Sequence, residues 1–176
     1  MWSWLKLFRA SKMTPMKEPK IVSRPAFKVA GMNAAFSFDE LSEIPMLWQK
    51  FMPSASKLSN RKGTATYGVM HDDIAEAERE DVDFAYLACV EVSKLEDLPP
   101  EMEGMEIPAG EYAVFTHTEG LDTLSETMDE IWSAWLPMSG YQAAEAPCFE
   151  YYDERFDPKT LEGAVDIYFP IKRTVQ

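Results

Sequence analysis

Residues 48–53 read WQKFMP, and residues 132–137 read the similar sequence WSAWLP. Each contains a tryptophan, then an aromatic residue three positions later, an apolar residue and a proline. Each is followed, after a similar gap, by an aromatic stretch that reaches an aspartate: YGVMHD at 67–72 and FEYYDE at 149–154. Two matches in the same order indicate an internal repeat of one structural unit.

The residue pattern predicts the order strand, helix, strand, strand in each half. Ser42 is placed to cap the first helix and Pro53 to limit it, and the second helix covers residues 121–136 with an amphipathic stripe. We therefore expect an α+β fold, a pseudo-symmetric duplication with antiparallel sheet, two main helices on one side and a cleft where the halves meet. The predicted strands cover residues 20–36, 64–72, 84–93, 106–120, 147–154 and 164–172, with linkers at 73–83 and 94–105.

Composition and charge exclude several classes of function. The 176 residues carry a formal net charge of -13, which argues against a basic surface for direct nucleic-acid binding. The two cysteines, Cys89 and Cys148, fall in apolar strands, so buried free thiols in a reducing cytoplasm are expected. His71 and His117 are isolated, and no phosphate-binding loop or nucleophile motif occurs. We therefore expect neither a metal nor a cofactor.

Residues 1–18 form a basic, tryptophan-containing stretch ahead of the domain, which we place at 19–176 with halves at about 19–95 and 104–173. The stretch is either a short amphipathic helix that docks on the domain or on a membrane surface, or a peripheral extension. The extension is favoured. Since no apolar run approaches the ~20 residues that span a bilayer, a membrane span is not expected.

Glu150 lies within an aromatic strand and raises the question of which way it faces. Side chains alternate along a strand, so Cys148, Glu150 and Tyr152 share one face while Phe149 and Tyr151 share the other. From composition alone a solvent-exposed glutamate is the favoured interpretation, because glutamate is rarely buried unless it is paired. The alternative is a carboxylate that faces an apolar cleft.

The ordered stretches along the chain resemble a known family. IPMLWQKF, YGV, FAYLACVEV, IPAGEYAVFTHTEG, WSAWLPMSGY, APCFEYYDERFDP and VDIYFPIK follow one another as in the GyrI-like, or AraC-type effector-binding, domains. That family includes the drug-binding parts of bacterial multidrug-responsive transcription regulators and stand-alone proteins. The resemblance covers residues 20 to 172 and implies a pair of repeated units with a cleft between them.

The resemblance also implies a ligand and a central residue. Family members typically bind amphipathic, often cationic compounds against aromatic rings and a glutamate in a stretch that PCFEYY matches here, which assigns that position to Glu150. Gly68 aligns with Glu150 in the repeat, and a glycine there either admits a close neighbour or forms a bulge. The aromatic residues expected to border the cleft are Trp48, Tyr67, Tyr86, Trp132 and Tyr152, although each is also a candidate core residue.

Three functions follow as hypotheses. The leading one is a stand-alone, non-enzymatic binder of cationic or amphipathic small molecules, located in the cytoplasm. The second is a hydrolase of reactive electrophilic compounds, with Glu150 as the general base. The third is a modulator that interacts with DNA gyrase, the resemblance alone supplying that partner.

Overall fold

The computed structural model describes residues 18–72 and 82–174. The expected extension at 1–18 and the acidic linker at 73–83 therefore lie almost entirely outside the described residues. The described strands are β1 (Lys20–Arg24), β2 (Phe27–Phe36), β3 (Thr66–His71), β4 (Phe84–Val92), β5 (Glu103–Ile107), β6 (Gly110–His117), β7 (Tyr141–Ala143), β8 (Cys148–Tyr152), β9 (Phe156–Asp157), β10 (Glu162–Gly163) and β11 (Val165–Arg173). The helices are α1 (Ile44–Ala55), α2 (Leu124–Glu130) and α3 (Leu136–Met138), with 3-10 turns at Phe38–Glu43 and Leu121–Thr123 and a π-helical segment at Ile131–Trp135.

One large antiparallel sheet organises the fold. Its strands lie in the order β1-β6-β11-β8-β3-β4-β2-β5, and β7 pairs with the end of β11. The central pair, β3 with β8, joins the two halves of the chain, and β9 and β10 form a separate two-stranded ribbon. The predicted α+β class, with repeated strand-helix-strand-strand units, is confirmed.

The helix α1 packs on one face of the sheet through a stripe with helical spacing. Leu47, Phe51 and Ala55 are four residues apart, so they lie on one side of α1, and all three are buried. They join the core formed by Tyr86, Ala88 and other side chains that point from the sheet toward the helices. Pro45 occupies the first turn, where its missing N–H has no intrahelical partner to lose.

The second helical region covers the same face in the other half of the molecule. Its π-helical segment brings the fully buried Ile131 into the core. The Trp132 ring packs edge-on against Phe169 with the ring centroids 4.8 Å apart, and Trp135 packs edge-on against Phe115 at 5.1 Å. The wider turn of the π-helical segment therefore carries two large indole side chains, and both pack against neighbouring strands.

The opposite face of the sheet holds a second core that is rich in aromatic rings. The guanidinium of Arg24 lies over the Phe27 ring at 4.3 Å, and it lies within 5.7 Å of the ring centroids of Tyr67, Phe149 and Tyr168. Arg24 also donates a hydrogen bond of 3.2 Å to the Tyr67 hydroxyl. A planar cation on aromatic faces is attracted by their quadrupoles, so Arg24 stabilises this core from its edge.

Three local expectations need correction. The strand expected at 20–36 is two strands, because Pro25 lacks the N–H that would continue the ladder. Helix α1 continues past Pro53 to Ala55, since a proline in the last turn removes only one hydrogen bond. The linker at 94–105 contains most of β5, an edge strand whose composition is too polar to be recognised from pattern.

The two cysteines are free and buried, as expected. Cys89 belongs to the aromatic core and Cys148 to the core under the helices, so the thiols lie on opposite faces of the sheet. A disulfide between them is thus excluded by the fold.

We predict that Arg24→Gln lowers the free energy of unfolding by about 1 to 2 kcal/mol, because a neutral amide loses the attraction to the four rings. Urea denaturation followed by circular dichroism measures the change. Arg173→Gln, at the exposed end of β11, is the matched control and should change stability by less than about 0.5 kcal/mol. Equal losses in the two variants would show that the aromatic setting of Arg24 contributes nothing.

Candidate functional site

Glu150 lies at the centre of the sheet and faces the helices. Its own strand, β8, alternates so that Cys148, Glu150 and Tyr152 point to the helix side while Phe149 joins the aromatic core on the other face. In the ladder, Glu150 is directly opposite Gly68 on one side and Ile167 on the other. Only 6% of its surface is exposed, so the interpretation as a surface glutamate does not hold.

Two tyrosines hold the carboxylate through a single oxygen. The Tyr86 hydroxyl donates to Oε2 of Glu150 at 2.6 Å, and the Tyr152 hydroxyl donates to the same oxygen at 2.7 Å. The indole Nε1 of Trp48 donates in turn to the Tyr86 hydroxyl at 3.2 Å. Strands β4 and β8 and helix α1 therefore meet at one hydrogen-bonded group, which we call the Glu150 cluster: Trp48, Gly68, Tyr86, Glu150 and Tyr152.

The other carboxylate oxygen is open. Among the described residues, Oε1 of Glu150 receives no hydrogen bond. Oε1 therefore keeps its capacity to accept hydrogen bonds from a group outside the chain.

Gly68 makes room for this arrangement. A Cβ built on Gly68 would collide with the Tyr86 hydroxyl and would lie 2.5 Å from Oε2 of Glu150. Gly68 pairs in regular register, with Tyr67 opposite Tyr151 and Val69 opposite Phe149, so it is a site of close approach and not a bulge. The alignment of the two halves also equates Gly68 with Glu150, which places the centre of the duplication at this pair.

Aromatic rings surround the carboxyl on the helix side. The Trp48 ring lies edge-on to Tyr152 with centroids 5.6 Å apart and edge-on to Tyr86 at 6.5 Å. Tyr152 packs in turn against Phe156 at 4.9 Å, a neighbour that the pattern of the sequence did not single out. Since Trp48 is only half-buried, it forms the outer wall of the cluster.

Burial dominates the electrostatics of the cluster. Desolvation raises the pKa of Glu150 above its ordinary value, and the hydrogen bonds from Tyr86 and Tyr152 oppose that rise without cancelling it. Burial, followed by the nearby Glu150 carboxylate, raises the pKa of both tyrosines. Burial and the same carboxylate raise the pKa of the Cys148 thiol. Both tyrosines therefore remain neutral donors at physiological pH.

Two of the proposed ligand-binding residues lie elsewhere. Tyr67 belongs to the aromatic core on the opposite face of the sheet, where its hydroxyl accepts from Arg24 and donates to Glu91 at 3.3 Å. Strand alternation places the Tyr67 side chain on the face opposite Glu150, because Gly68 faces the helices, and contact of Tyr67 with a ligand stays a prediction. Trp132 packs against Phe169 in the second half of the molecule, and its contact with a ligand stays a prediction.

Two surface depressions lie away from the Glu150 cluster. They have volumes of about 400 and 660 Å³, and they lie beside Arg24 and Lys62 and beside Gly120 and Gly163. Neither of these is lined by Glu150. Within residues 18–72 and 82–174, no group of three or more histidine, cysteine or acidic side chains is arranged to hold a metal ion. No helix among these residues is long and apolar enough to cross a membrane.

The described residues thus form a duplicated sheet with a buried, tyrosine-bound carboxyl between its halves. The sequence matches the family described as GyrI-like small molecule binding domain over residues 17–172, and the chain belongs to that family.

Relatives and solved structures agree with this assignment. The chain is 33% identical over 154 residues to the transcriptional regulator BrlR of Pseudomonas aeruginosa, covering 86% of this chain but only 54% of BrlR. It is 32% identical over 130 residues to the probable transcriptional regulator YgiV of Escherichia coli, covering 72% of this chain and 76% of YgiV. The structure of SAV2435 bound to tetraphenylphosphonium has a TM-score of 0.69 at 16% identity, covers 89% of this chain and 94% of SAV2435, and shows the same fold.

We predict that Gly68→Ala lowers the free energy of unfolding by about 1 to 3 kcal/mol, because the added methyl group forces Tyr86 and Glu150 apart. The midpoint of chemical denaturation measures this loss. Gly110→Ala on β6 is the matched control, since its Cβ would meet only Tyr112, at an ordinary contact distance of 3.8 Å. If both variants unfold at the same denaturant concentration, the close packing over Gly68 is not a constraint.

Proposed function

We propose that this protein binds cationic, amphipathic small molecules, with the Glu150 carboxylate as the counter-charge and the surrounding aromatic rings as the wall. The observation that carries the proposal is a buried carboxyl that no cationic side chain accompanies. The influences on the pKa of Glu150 are burial and two tyrosine hydroxyls, and no lysine, arginine or histidine in the described part of the chain contributes. The negative charge of an ionised Glu150 is therefore available to pair with a cationic ligand.

Electrostatic attraction favours cations over neutral molecules of the same shape. At about 4 Å and an effective dielectric constant of about 20, two unit charges attract by about 4 kcal/mol before desolvation is subtracted. The buried carboxylate already lacks water, so a cation also relieves its unfavourable ionisation. A neutral apolar compound gains neither contribution, and the site therefore selects for charge.

The aromatic rings supply affinity with little demand on shape. Trp48, Tyr86 and Tyr152 border the carboxyl, and a cation over such a ring gains about 0.5 to 2 kcal/mol. Ring faces accept many substituents, which suits recognition of a class of compounds. The tetraphenylphosphonium bound to SAV2435, a lipophilic cation in a protein of the same fold, supports this class for the present chain.

Trp48 is the outer, half-buried residue of the Glu150 cluster, so a bulky ligand that enters the cluster would displace it. Trp48 covers Tyr86 and Tyr152, and one neutral hydrogen bond of 3.2 Å holds its indole to Tyr86. Such a bond contributes only about 0.5 to 1.5 kcal/mol, so thermal motion can break it. We propose that Trp48 swings away from Tyr86 when a ligand enters, which makes tryptophan fluorescence the natural signal of binding.

A hydrolytic reaction is the second candidate, and the open Oε1 favours it. A carboxylate with a raised pKa is a stronger base than an exposed glutamate, and its second oxygen, which receives no hydrogen bond from a described residue, can accept a proton from water. In that reaction Glu150 removes a proton from water while the water oxygen attacks a carbon of an epoxide; the ring C–O bond breaks, and the released oxygen takes a proton from solvent to give a diol. The tyrosines would hold the base through Oε2.

We predict that Glu150→Gln weakens binding of tetraphenylphosphonium about tenfold to a hundredfold, the equivalent of about 1.4 to 2.8 kcal/mol of lost attraction. Tryptophan fluorescence measures the dissociation constant. The glutamine oxygen can still accept from both tyrosines, so the variant removes the charge and keeps the shape. Glu145→Gln, an exposed acid just ahead of β8, is the matched control and should bind as the wild type does. Unchanged affinity in Glu150→Gln would contradict the counter-charge role.

The hydrolytic candidate has a separate test. Incubation with an aryl epoxide, followed by chromatography of the diol, should show turnover by the wild type and none by Glu150→Gln if Glu150 is a general base. Binding of tetraphenylphosphonium without turnover of such electrophiles would leave the binding function as the sole candidate of the two.

A further inference from the structure

We propose that a cation entering the Glu150 cluster displaces a proton from Oε1 of Glu150, so that ligand binding and proton release are one coupled event. The inference rests on the proposed function and extends it, since it states what occupies the carboxyl before the ligand arrives. The empty site holds a neutral carboxylic acid. The occupied site holds a carboxylate paired with the cation, and one proton passes to the solvent for each cation bound.

The two carboxyl oxygens of Glu150 differ in their hydrogen-bond partners. Both tyrosine hydroxyls donate to Oε2, at 2.6 and 2.7 Å, and no described residue donates to Oε1. In a carboxylic acid the carbonyl oxygen is the better acceptor and the other oxygen carries the proton. The structure therefore fits a proton on Oε1 as well as it fits a carboxylate. The exchange leaves both tyrosine hydrogen bonds in place.

The strands around Glu150 offer no positive charge. On β8 the neighbours on the same face are Cys148 and Tyr152, and the hydroxyl of Tyr86 arrives from β4. Across the ladder, β3 presents Gly68 and β11 presents Ile167. All of these groups are uncharged when Glu150 is an acid. An ionised Glu150 would have only tyrosine donors to replace its lost hydration.

The helices offer none either. Helix α1 contributes the neutral Trp48, and its one basic residue, Lys50, is exposed on the far side of the buried stripe. The region from α2 to α3 carries Glu126, Asp129 and Glu130 and no basic residue, so it can only oppose ionisation of Glu150. Burial that no positive charge offsets is also the reason why the pKa of Glu150 is raised.

The affinity for a cation is expected to rise with pH until Glu150 is ionised. Below the pKa of Glu150 in the empty protein, a cation must first remove the proton, so affinity falls as pH falls, by up to tenfold for each pH unit. Above that pKa the carboxyl is already ionised, and affinity no longer depends on pH. An exposed glutamate would show this change only near its ordinary pKa of about 4.3. Because the pKa of Glu150 is raised, its affinity for a cation begins to fall at a higher pH than that of an exposed glutamate would.

Calorimetry of the wild-type protein tests the coupling. Tetraphenylphosphonium is titrated at several values between about pH 5 and pH 8, each time in two buffers that both hold that pH and differ in their enthalpy of ionisation. The difference in heat between the buffers gives the number of protons released. We expect release to approach one proton for each ligand at the acidic end, and to decline as pH rises. The dissociation constant should fall over the same range.

Two controls isolate Glu150. Glu150→Gln, with its fold checked by circular dichroism, should release no proton and should bind with an affinity that does not depend on pH. Triphenylphosphine oxide, a neutral relative of the cation, should release none from the wild type. Infrared difference spectra between the empty wild type and Glu150→Gln should contain the carbonyl band of a protonated carboxyl group. That readout needs no ligand.

The outcomes separate the two proposals. Tight binding of tetraphenylphosphonium with no proton released at any pH in the range would overturn the exchange and leave the binding function standing. No protonated-carboxyl band in the empty wild type would overturn it in the same way. Failure of the wild type to bind tetraphenylphosphonium at every pH would overturn the binding function, and the exchange with it.

Discussion

The Glu150 carboxyl lies close to the Cα of Gly68, and this position constrains the residues that surround it. Glu150 is buried in the middle of a sheet, where an unpartnered polar group is strongly unfavourable. Tyr86 and Tyr152 supply the donors that make the position tolerable, and Gly68 supplies the space that both the carboxyl and the Tyr86 hydroxyl need. Helix α1 then adds Trp48 above them. Each of these residues is explained by the one charge that they surround.

The two faces of the sheet carry ionisable groups of opposite type among aromatic rings. On the face away from the helices, Arg24 is a cation held by aromatic rings, with the Tyr67 hydroxyl linking it to Glu91. On the helix face, Glu150 is an acid among aromatic rings, without a cation from the described residues. The aromatic core with Arg24 is complete within the chain. The Glu150 cluster has no such cation among the described residues, and we propose that a ligand supplies it.

Much of this could be predicted from the sequence, because strand alternation and the internal repeat are local signals. They place Glu150 and Tyr152 on one face and Phe149 on the other, and they align Gly68 with Glu150. The same alternation predicts that Tyr67 points to the face opposite Glu150, which is where the structure places it. The edge strand β5 and the π-helical segment around Trp132 depend on tertiary partners, and no local pattern predicts them. The hydrogen bond from Tyr86 to Glu150 also lies beyond the sequence, since it joins strands from different halves.

The pairing of Gly68 with Glu150 has a consequence for how such a site can arise. The duplication relates these two positions to each other, and the ladder sets them side by side. Two identical halves assembled as a homodimer would have to carry the same residue at both positions. Two glutamates would bring like charges together at a Cα separation of only about 4.5 to 5.5 Å, and two glycines would leave no charge at all. Only a covalently joined pair of halves is free to differ there. The fused chain is therefore what permits a single, central carboxyl group, and under the proposed function it implies one cation for each polypeptide.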